Sequence, residues 1–342
     1  MKRTIIIAEA GVNHNGSMAL ARELIDAAAA SGSDYVKFQT FKTELIISEN
    51  AAKANYQLEN ADDKSETQFD MAKKLELSFE DFKLLKYHCI TRNIGFLSTG
   101  FDSISLDFLK DLGQDYFKIP SGEITNKPFL QQIGKFGIPV LLSTGMANLK
   151  EIQEAIFVLN GAGMSSENIT VLHCNTEYPT PMTDVNLLAM KTIQNQLNVR
   201  VGYSDHTLGI EVPIAAVTLG AEVIEKHITL DRSMAGPDHR ASLEPAELNA
   251  MVASIRNIEK AISGNGLKVP SPSETPNISV ARRSIHLNVD LQKGEIIKFE
   301  NLIMKRPGNG ISPMKLEEVV GKRMTKMIKA GNMLEWDNFC NA

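Results

Sequence analysis

Short apolar runs alternate with helix-spaced patterns through about residue 265 of this chain. The apolar runs are Thr4–Ala10, Tyr35–Thr40, Gly95–Thr99, Asp115–Pro120, Pro139–Thr144, Thr170–Cys174, Val199–Ser204 and Glu222–His227. They are rich in β-branched or aromatic residues, as strands covered on both faces are. Helical patterns lie between them. Met18–Ala30 lacks glycine and proline, and the stretch from Ser78 opens with Ser-Phe-Glu-Asp, a variant capping box, then spaces Phe82, Leu85 and Cys89 along one helical face. Eight strand–helix units in about 250 residues is the size of a (β/α)8 barrel, the TIM barrel of the α/β class. An open doubly wound sheet is the competing arrangement.

The polar positions favour the barrel, because they gather at the C-terminal ends of the strands, where barrel sites are built. Period-two alternation puts Ile5, Ile7 and Glu9 on one face of the first strand, and Lys37 and Gln39 together on the second. Lys118 closes the fourth, with Ser121 and Glu123 just beyond it. The second connection, Phe41–Leu77, is long and holds Tyr56-Gln-Leu and a polar run, Glu59–Thr67. Such a loop is either a substrate lid or a solvated insertion. After Ser263 the composition shifts to Pro, Ser and Gly, which predicts an extended linker over 265–280 between a domain at 1–264 and another at 281–342. The last segment repeats itself weakly. Leu291-Gln-Lys-Gly-Glu-Ile-Ile is echoed 37 residues later by Ile328-Lys-Ala-Gly-Asn-Met-Leu, and Phe299-Glu-Asn-Leu by Trp336-Asp-Asn-Phe. A small pseudo-symmetric β-rich domain follows from that pattern.

Composition narrows the classes. The chain has 342 residues, 43% hydrophobic and 23% charged, with a net charge of −5. This leaves no basic footprint for nucleic acid, so any anionic substrate must meet local lysines or arginines. Cys89, Cys174 and Cys340 are sparse and without CxxC spacing, which argues against a disulfide framework or a structural zinc site and fits a reducing compartment. The apolar run before Glu9 is too short for a signal-peptide core, and no run approaches a membrane span. A cytoplasmic protein is expected.

Within that frame the chemistry-bearing residues pair up. Val199-Arg-Val-Gly-Tyr-Ser-Asp-His206 and Glu222-Val-Ile-Glu-Lys-His227 each end a strand in histidine. Strands seven and eight of a barrel would bring both imidazoles to one rim, as ligands of a divalent metal with open positions or as hydrogen-bonded structural groups. Lys37 and Lys118, with hydroxyls from Ser98-Thr99, Ser121, Ser143-Thr144 and Ser204, resemble a phosphate cradle, although some of these serines also serve as helix caps. Glu9 and Glu123 at the same rim are either acid/base groups or ion-pair partners of the lysines. Glu225, one inward step below His227, is expected to support the site rather than bind metal. Asn13-His14-Asn15-Gly16 reads as a turn, with His14 no ligand.

At these residues the chain resembles the sialic acid synthases, also called N-acetylneuraminate synthases, and their legionaminic acid relatives. The resemblance is carried by Ala8-Glu9-Ala-Gly-Val-Asn-His-Asn-Gly16, Val36-Lys37-Phe-Gln-Thr40, Phe117-Lys118-Ile-Pro-Ser-Gly-Glu123, Leu142-Ser-Thr-Gly-Met146, His173-Cys-Asn-Thr-Glu-Tyr178-Pro-Thr-Pro181, Gly202-Tyr-Ser-Asp-His206 and Ile224-Glu-Lys-His227. Arg282-Arg-Ser and Lys305-Arg306-Pro-Gly-Asn-Gly310 look like that family's appended antifreeze-like (SAF) domain. Gly100 stands where the family usually has proline, and Thr176 where some relatives have asparagine. The resemblance implies condensation of phosphoenolpyruvate with an open-chain N-acetylated mannosamine-type sugar, giving a nine-carbon 2-keto acid and phosphate. It implies Lys37, Thr99, Lys118, Ser121, Ser143, Thr176 and Ser204 at phosphoenolpyruvate, and Glu9 with Glu123 as acid/base groups. Gln39, Tyr178 and Asp238 fall to the sugar, and His206 and His227 to Mn2+, with Mg2+ or Co2+ as substitutes. It also implies a domain-swapped homodimer in which Arg306 reaches the sugar site of the other subunit.

Overall fold

The computed structural model describes residues 3–49, 51 and 67–341. It divides into two compact units, Met1–Ser263 and Gly264–Ala342.

The first unit is the expected barrel. Its strands are β1 (Ile5–Gly11), β2 (Tyr35–Thr40), β3 (Gly95–Gly100), β4 (Phe117–Ile119), β5 (Val140–Ser143), β6 (Ile169–His173), β7 (Arg200–Asp205) and β8 (Val223–His227). All ladders are parallel, in the order β3-β2-β1-β8-β7-β6-β5-β4, and β3 packs beside β4 to round the sheet off. An open doubly wound sheet is thereby excluded. Each expected strand is present, with no end moved by more than two residues.

Alternation divides each strand between two layers. Outward residues such as Ile6, Ala8, Val36, Phe38, Phe117 and Ile119 pack under the helices in the main core. The first inward positions, Ile7, Leu97, Leu141, Leu172 and Val223, form a separate apolar plug inside the barrel. Gly202 takes the inward position of β7 at that level, where a Cβ would meet the Val223 carbonyl oxygen at 2.5 Å and Leu172 at 2.6 Å. One inward step further along, apolar gives way to polar: Glu9, Lys37, Thr99, Lys118, Ser143, Ser204 and Glu225. The plug is the base on which that polar layer stands.

The helices obey their sequence signals. Ser17 caps Met18–Ala30. Ser78 and Asp81 complete the reciprocal capping box of Phe79–Thr91, whose Phe82, Leu85 and Cys89 are buried. The long second connection keeps helices at both ends, Thr43–Ile46 and Gln68–Leu75. Tyr56-Gln-Leu and nearly all of the polar run Glu59–Thr67 lie outside the described residues.

In the second unit, part of the expected linker is structured. Thr275–Ala281 is a helix rather than extended chain, because Pro276 stands in its first turn, where a missing N–H costs nothing. Beyond it the repeat is physical. Strands Ser284–Leu287 and Leu302–Lys305 pair antiparallel, as do Arg323–Met324 and Phe339–Cys340. Leu291 and Ile328, 37 residues apart, exchange both backbone hydrogen bonds at 3.0 Å. Gly294 donates to the Met324 carbonyl and Gly331 to that of Leu287, the symmetry-equivalent bonds. The two halves thus bond across a pseudo-two-fold axis around a core that includes Ile285, Leu291, Ile297, Leu334 and Phe339.

Candidate active site

The C-terminal ends of the strands open into a cavity of about 640 Å³, within the range of small-molecule sites. Its floor is the polar inward layer. Lys37 Nζ lies 2.7 Å from Glu9 Oε2 and 3.0 Å from Thr99 Oγ1. Lys118 reaches across the barrel from β4 to Glu225 Oε1 at 2.9 Å, and Ser204 Oγ donates to the same oxygen at 3.1 Å. Glu225 Oε2 is 3.6 Å from Lys37. One carboxylate therefore ties both ammonium groups together. All four charged side chains are nearly inaccessible to water.

Burial and charge push the two carboxyl groups apart. Burial lifts Glu9 to about 7, with Lys37 only partly offsetting it and Glu225 adding to it. Burial also acts on Glu225, but Lys118 and Lys37 outweigh it and hold that carboxyl at about 2. A site with one fixed carboxylate and one carboxyl poised near neutrality can hold an anion and move a proton. When Glu9 is protonated, two ammonium groups face a single carboxylate, which leaves net positive charge for an anionic ligand.

The imidazoles extend this floor. Register sets Glu9 opposite His227 on β8 and Lys37 on β2. The rings of His206 and His227 are 5.3 Å apart, and Tyr178 lies against both, tilted on His206 at 4.0 Å and edge to face with His227 at 5.6 Å. His206 Nδ1 bonds to the Asn175 carbonyl oxygen, which places the proton on Nδ1 and bares Nε2. Burial lowers His206 to about 4 and His227 well below the usual imidazole value, so both rings are neutral. His227 Nδ1 is buried with no hydrogen-bond partner, 3.7 Å from Asp238 Oδ2. Burial raises Asp238 to about 6. Two neutral rings with uncommitted nitrogens fit a divalent cation. Among the described residues no three His, Cys, Asp or Glu side chains gather at metal-ligand spacing, so further ligands would come from outside that set.

Hydroxyls complete the floor. Ser143 Oγ is buried without a partner, and Ser121 Oγ accepts from the Gly145 N–H at 3.0 Å. Gly145 has no room for a side chain, since a Cβ would lie 2.5 Å from Thr176 and 2.8 Å from Ser121 Oγ. Thr176, Gln39, Tyr178 and Asp238 also line the cavity. One expected residue is not brought in. Glu123 does not line the cavity; it sits in a 3-10 turn and accepts from Asn126 Nδ2 at 2.6 Å. The turn carries it past the strand end, two residues beyond the Ser121 that does face inward. Arg306 belongs to the second unit, where its Nε donates to the Ala281 carbonyl at 3.0 Å.

Comparison with known proteins decides the family. The NeuB family pattern matches residues 24–268 and the SAF domain residues 282–339. The chain belongs to the NeuB family. This NeuB chain is 53% identical to the N,N'-diacetyllegionaminic acid synthase of Campylobacter jejuni over 334 residues, 98% of this chain and 99% of that one. It is 49% identical to the enzyme of the same name from Legionella pneumophila, over 97% and 94% of the two chains. Among solved structures it is similar to N-acetylneuraminic acid synthetase from Leptospira borgpetersenii in complex with citrate, with 35% identity, a TM-score of 0.69, and 81% and 90% of the two chains covered.

Two features of the NeuB site go beyond the residues expected from sequence. Glu225 was expected as a supporting group, yet it joins both lysines. The signal was present in the alternation that sets it one step below His227. The other is an apolar wall. Val12, Phe41, Ile46, Ala72, Leu75 and Phe101 pack as a cluster separate from the barrel core and line the cavity. The ends of the long second connection supply most of it, so that segment is part of the site and not a solvated insertion where it is described.

Proposed function

We propose that the chain condenses phosphoenolpyruvate with open-chain 2,4-diacetamido-2,4,6-trideoxymannose, giving N,N'-diacetyllegionaminate and inorganic phosphate. The observation that carries the reading is the pairing, on one floor, of two ammonium groups with two neutral imidazoles and a carboxyl near neutrality between them. The choice of sugar is supported by the names of the relatives at 53% and 49% identity. The human relative, an N-acetylneuraminate-9-phosphate synthase, is 33% identical.

Lys37 and Lys118 hold the anionic groups of phosphoenolpyruvate, with Thr99, Ser121, Ser143, Thr176 and Ser204 supplying hydroxyls around them. Glu225 stays ionised and keeps the two ammonium groups in place. Gln39, Tyr178 and Asp238 position the sugar with its aldehyde toward His206 and His227. A divalent cation on those two imidazoles, Mn2+ in the first instance, would polarise the aldehyde carbonyl. As C3 of phosphoenolpyruvate bonds to the aldehyde carbon, protonated Glu9 gives its proton to the aldehyde oxygen. The resulting carboxylate takes a proton from the water that adds to C2. Collapse of C2 to the ketone expels phosphate, which carries away the remaining hydroxyl proton.

A domain-swapped homodimer, with Arg306 of one subunit at the sugar of the other, belongs to the same reading, as does a cytoplasmic setting. Among the described residues no helix is long and apolar enough to cross a membrane. Phosphate release and a nine-carbon acid by mass should appear only when phosphoenolpyruvate, the diacetamido sugar and Mn2+ are all present. Phosphate without sugar, or none from the full mixture, contradicts the reading. For the swapped site, confirmed mixed dimers of Arg306→Ala and Glu9→Ala chains should regain some activity; no recovery rules out sharing between subunits.

A further inference from the structure

The cavity has two chemically different sides. Among the described lining residues the cationic side chains are Lys37 and Lys118, both on the floor. The opposing wall holds the cluster of Val12, Phe41, Ile46, Ala72, Leu75 and Phe101, with Phe41 and Phe101 packed edge to face at 6.4 Å. A cluster buried for stability alone would close on itself. This one keeps a face on the cavity, where water would otherwise sit against apolar surface.

Nearby charges are turned away from it. Lys42 Nζ bonds to Glu76 at 3.0 Å and lies over the Phe79 ring, and Lys73 bridges Glu44 at 2.8 Å and Glu76 at 3.1 Å. Neither lysine lines the cavity. The same helix, Gln68–Leu75, thus offers Gln68 at its start and Met71, Ala72 and Leu75 beyond it to the cavity, and keeps Lys73 outward.

We infer that this wall reads the far end of the sugar, binding the C6 methyl and the C4 acetamido methyl and discriminating against hydroxyl or phosphate there. The inference rests on the condensation proposed above. With the aldehyde at His206 and His227 and phosphoenolpyruvate at the lysines, the wall is the apolar surface left for C4 to C6. 2,4-Diacetamido-2,4,6-trideoxymannose has two methyl groups at that end, whereas N-acetylmannosamine has two hydroxyls. A buried methyl is worth roughly fourfold in binding. A hydroxyl facing apolar surface loses water without gaining a partner, so the combined preference is about tenfold to a hundredfold. A 6-phosphate would meet no cation among the described wall residues.

The test compares kcat/KM for the diacetamido sugar, its 6-hydroxy analogue, N-acetylmannosamine and N-acetylmannosamine 6-phosphate on the full chain with Mn2+. The expected order is the order just given, with the phosphorylated sugar inert. Leu75→Gln and Ile46→Gln should each reduce the preference for the diacetamido sugar over N-acetylmannosamine by about tenfold, through the sugar KM, while the KM for phosphoenolpyruvate stays within twofold. Equal use of the diacetamido sugar and its 6-hydroxy analogue by the unsubstituted protein overturns the inference, whether or not the variants fold. Folded variants with an unchanged preference also overturn it. Phosphate from none of the four sugars overturns the condensation as well, and so distinguishes the two failures.

Discussion

The floor and the wall of the cavity are built by different means. The floor consists of barrel strands, whose side chains are fixed by alternation and ladder register, so Glu9, Lys37, Lys118, Ser204 and Glu225 converge through backbone geometry. The wall comes mainly from a connection, with Phe41 and Ile46 near its start and Ala72 and Leu75 near its end. A rigid scaffold carries charge and a loop carries apolar shape. Chemistry and selectivity can therefore change independently, as barrel folds in general permit.

If the floor is the reaction centre, substitutions there should have the largest effects. His206→Ala and His227→Ala should each lower Mn2+-dependent turnover on the order of a thousandfold, as loss of Lewis-acid stabilisation worth several kcal/mol implies. Mn2+ affinity, read by titration calorimetry, should fall alongside while the circular dichroism is unchanged. Full activity after metal stripping and re-addition would refute the ligand assignment.

Lys118→Met should damage both activity and stability. It leaves Glu225 buried with Lys37 at 3.6 Å as its remaining cation, and breaking a buried pair in this way costs about 3 kcal/mol. Urea unfolding would register the loss, and the KM for phosphoenolpyruvate should rise at least tenfold. Unaltered stability would mean that the Lys118–Glu225 bond is not what organises the floor.

Glu9 gives the floor a pH signature. Its folded value of about 7 lies above the ordinary 4.5 because burial disfavours the charge. Between those values the folded protein binds more protons than the unfolded chain, so Glu9's contribution to stability is fully present below 4.5 and is lost as the pH rises toward 7. Glu9→Gln should flatten that decline in urea midpoints taken between pH 5 and 7.5. It should also reduce turnover about a hundredfold and remove the activity limb near neutrality. A variant with the parent's pH profile would show that another group handles the proton.

The smallest effect belongs to the wall. Ile46→Ala should cost about 1 kcal/mol, less than a fully buried truncation because the side chain is half-buried. It should raise the sugar KM while leaving that for phosphoenolpyruvate within twofold. A matching rise in both would mean that floor and wall are not separable.

The floor was legible in the sequence because period-two alternation places an inward residue without any tertiary information. Glu9, Lys37 and Gln39 were placed that way and Lys118, His206 and His227 by their positions at strand ends, and the 37-residue echo in the last segment anticipated the reciprocal bonds between Leu291 and Ile328. Glu123 was misplaced because alternation stops at the strand end. The chain turns at Ser121, and the carboxylate goes to Asn126 instead of the cavity. The wall was not legible for a related reason. Phe41, Ala72 and Leu75 are far apart in sequence, and they meet only when two short helices fold over the barrel mouth.

The central claim is that the floor joins C3 of phosphoenolpyruvate to the sugar aldehyde and delivers water to C2. Phosphoenolpyruvate labelled with 18O in the bridging C–O–P oxygen tests it most directly, by mass spectrometry of the phosphate released with the diacetamido sugar. The account predicts that the phosphate keeps the label, because the C2–O bond breaks when C2 becomes the ketone. Unlabelled phosphate, with 18O retained in the sugar acid, would mean that water attacked phosphorus and would contradict it.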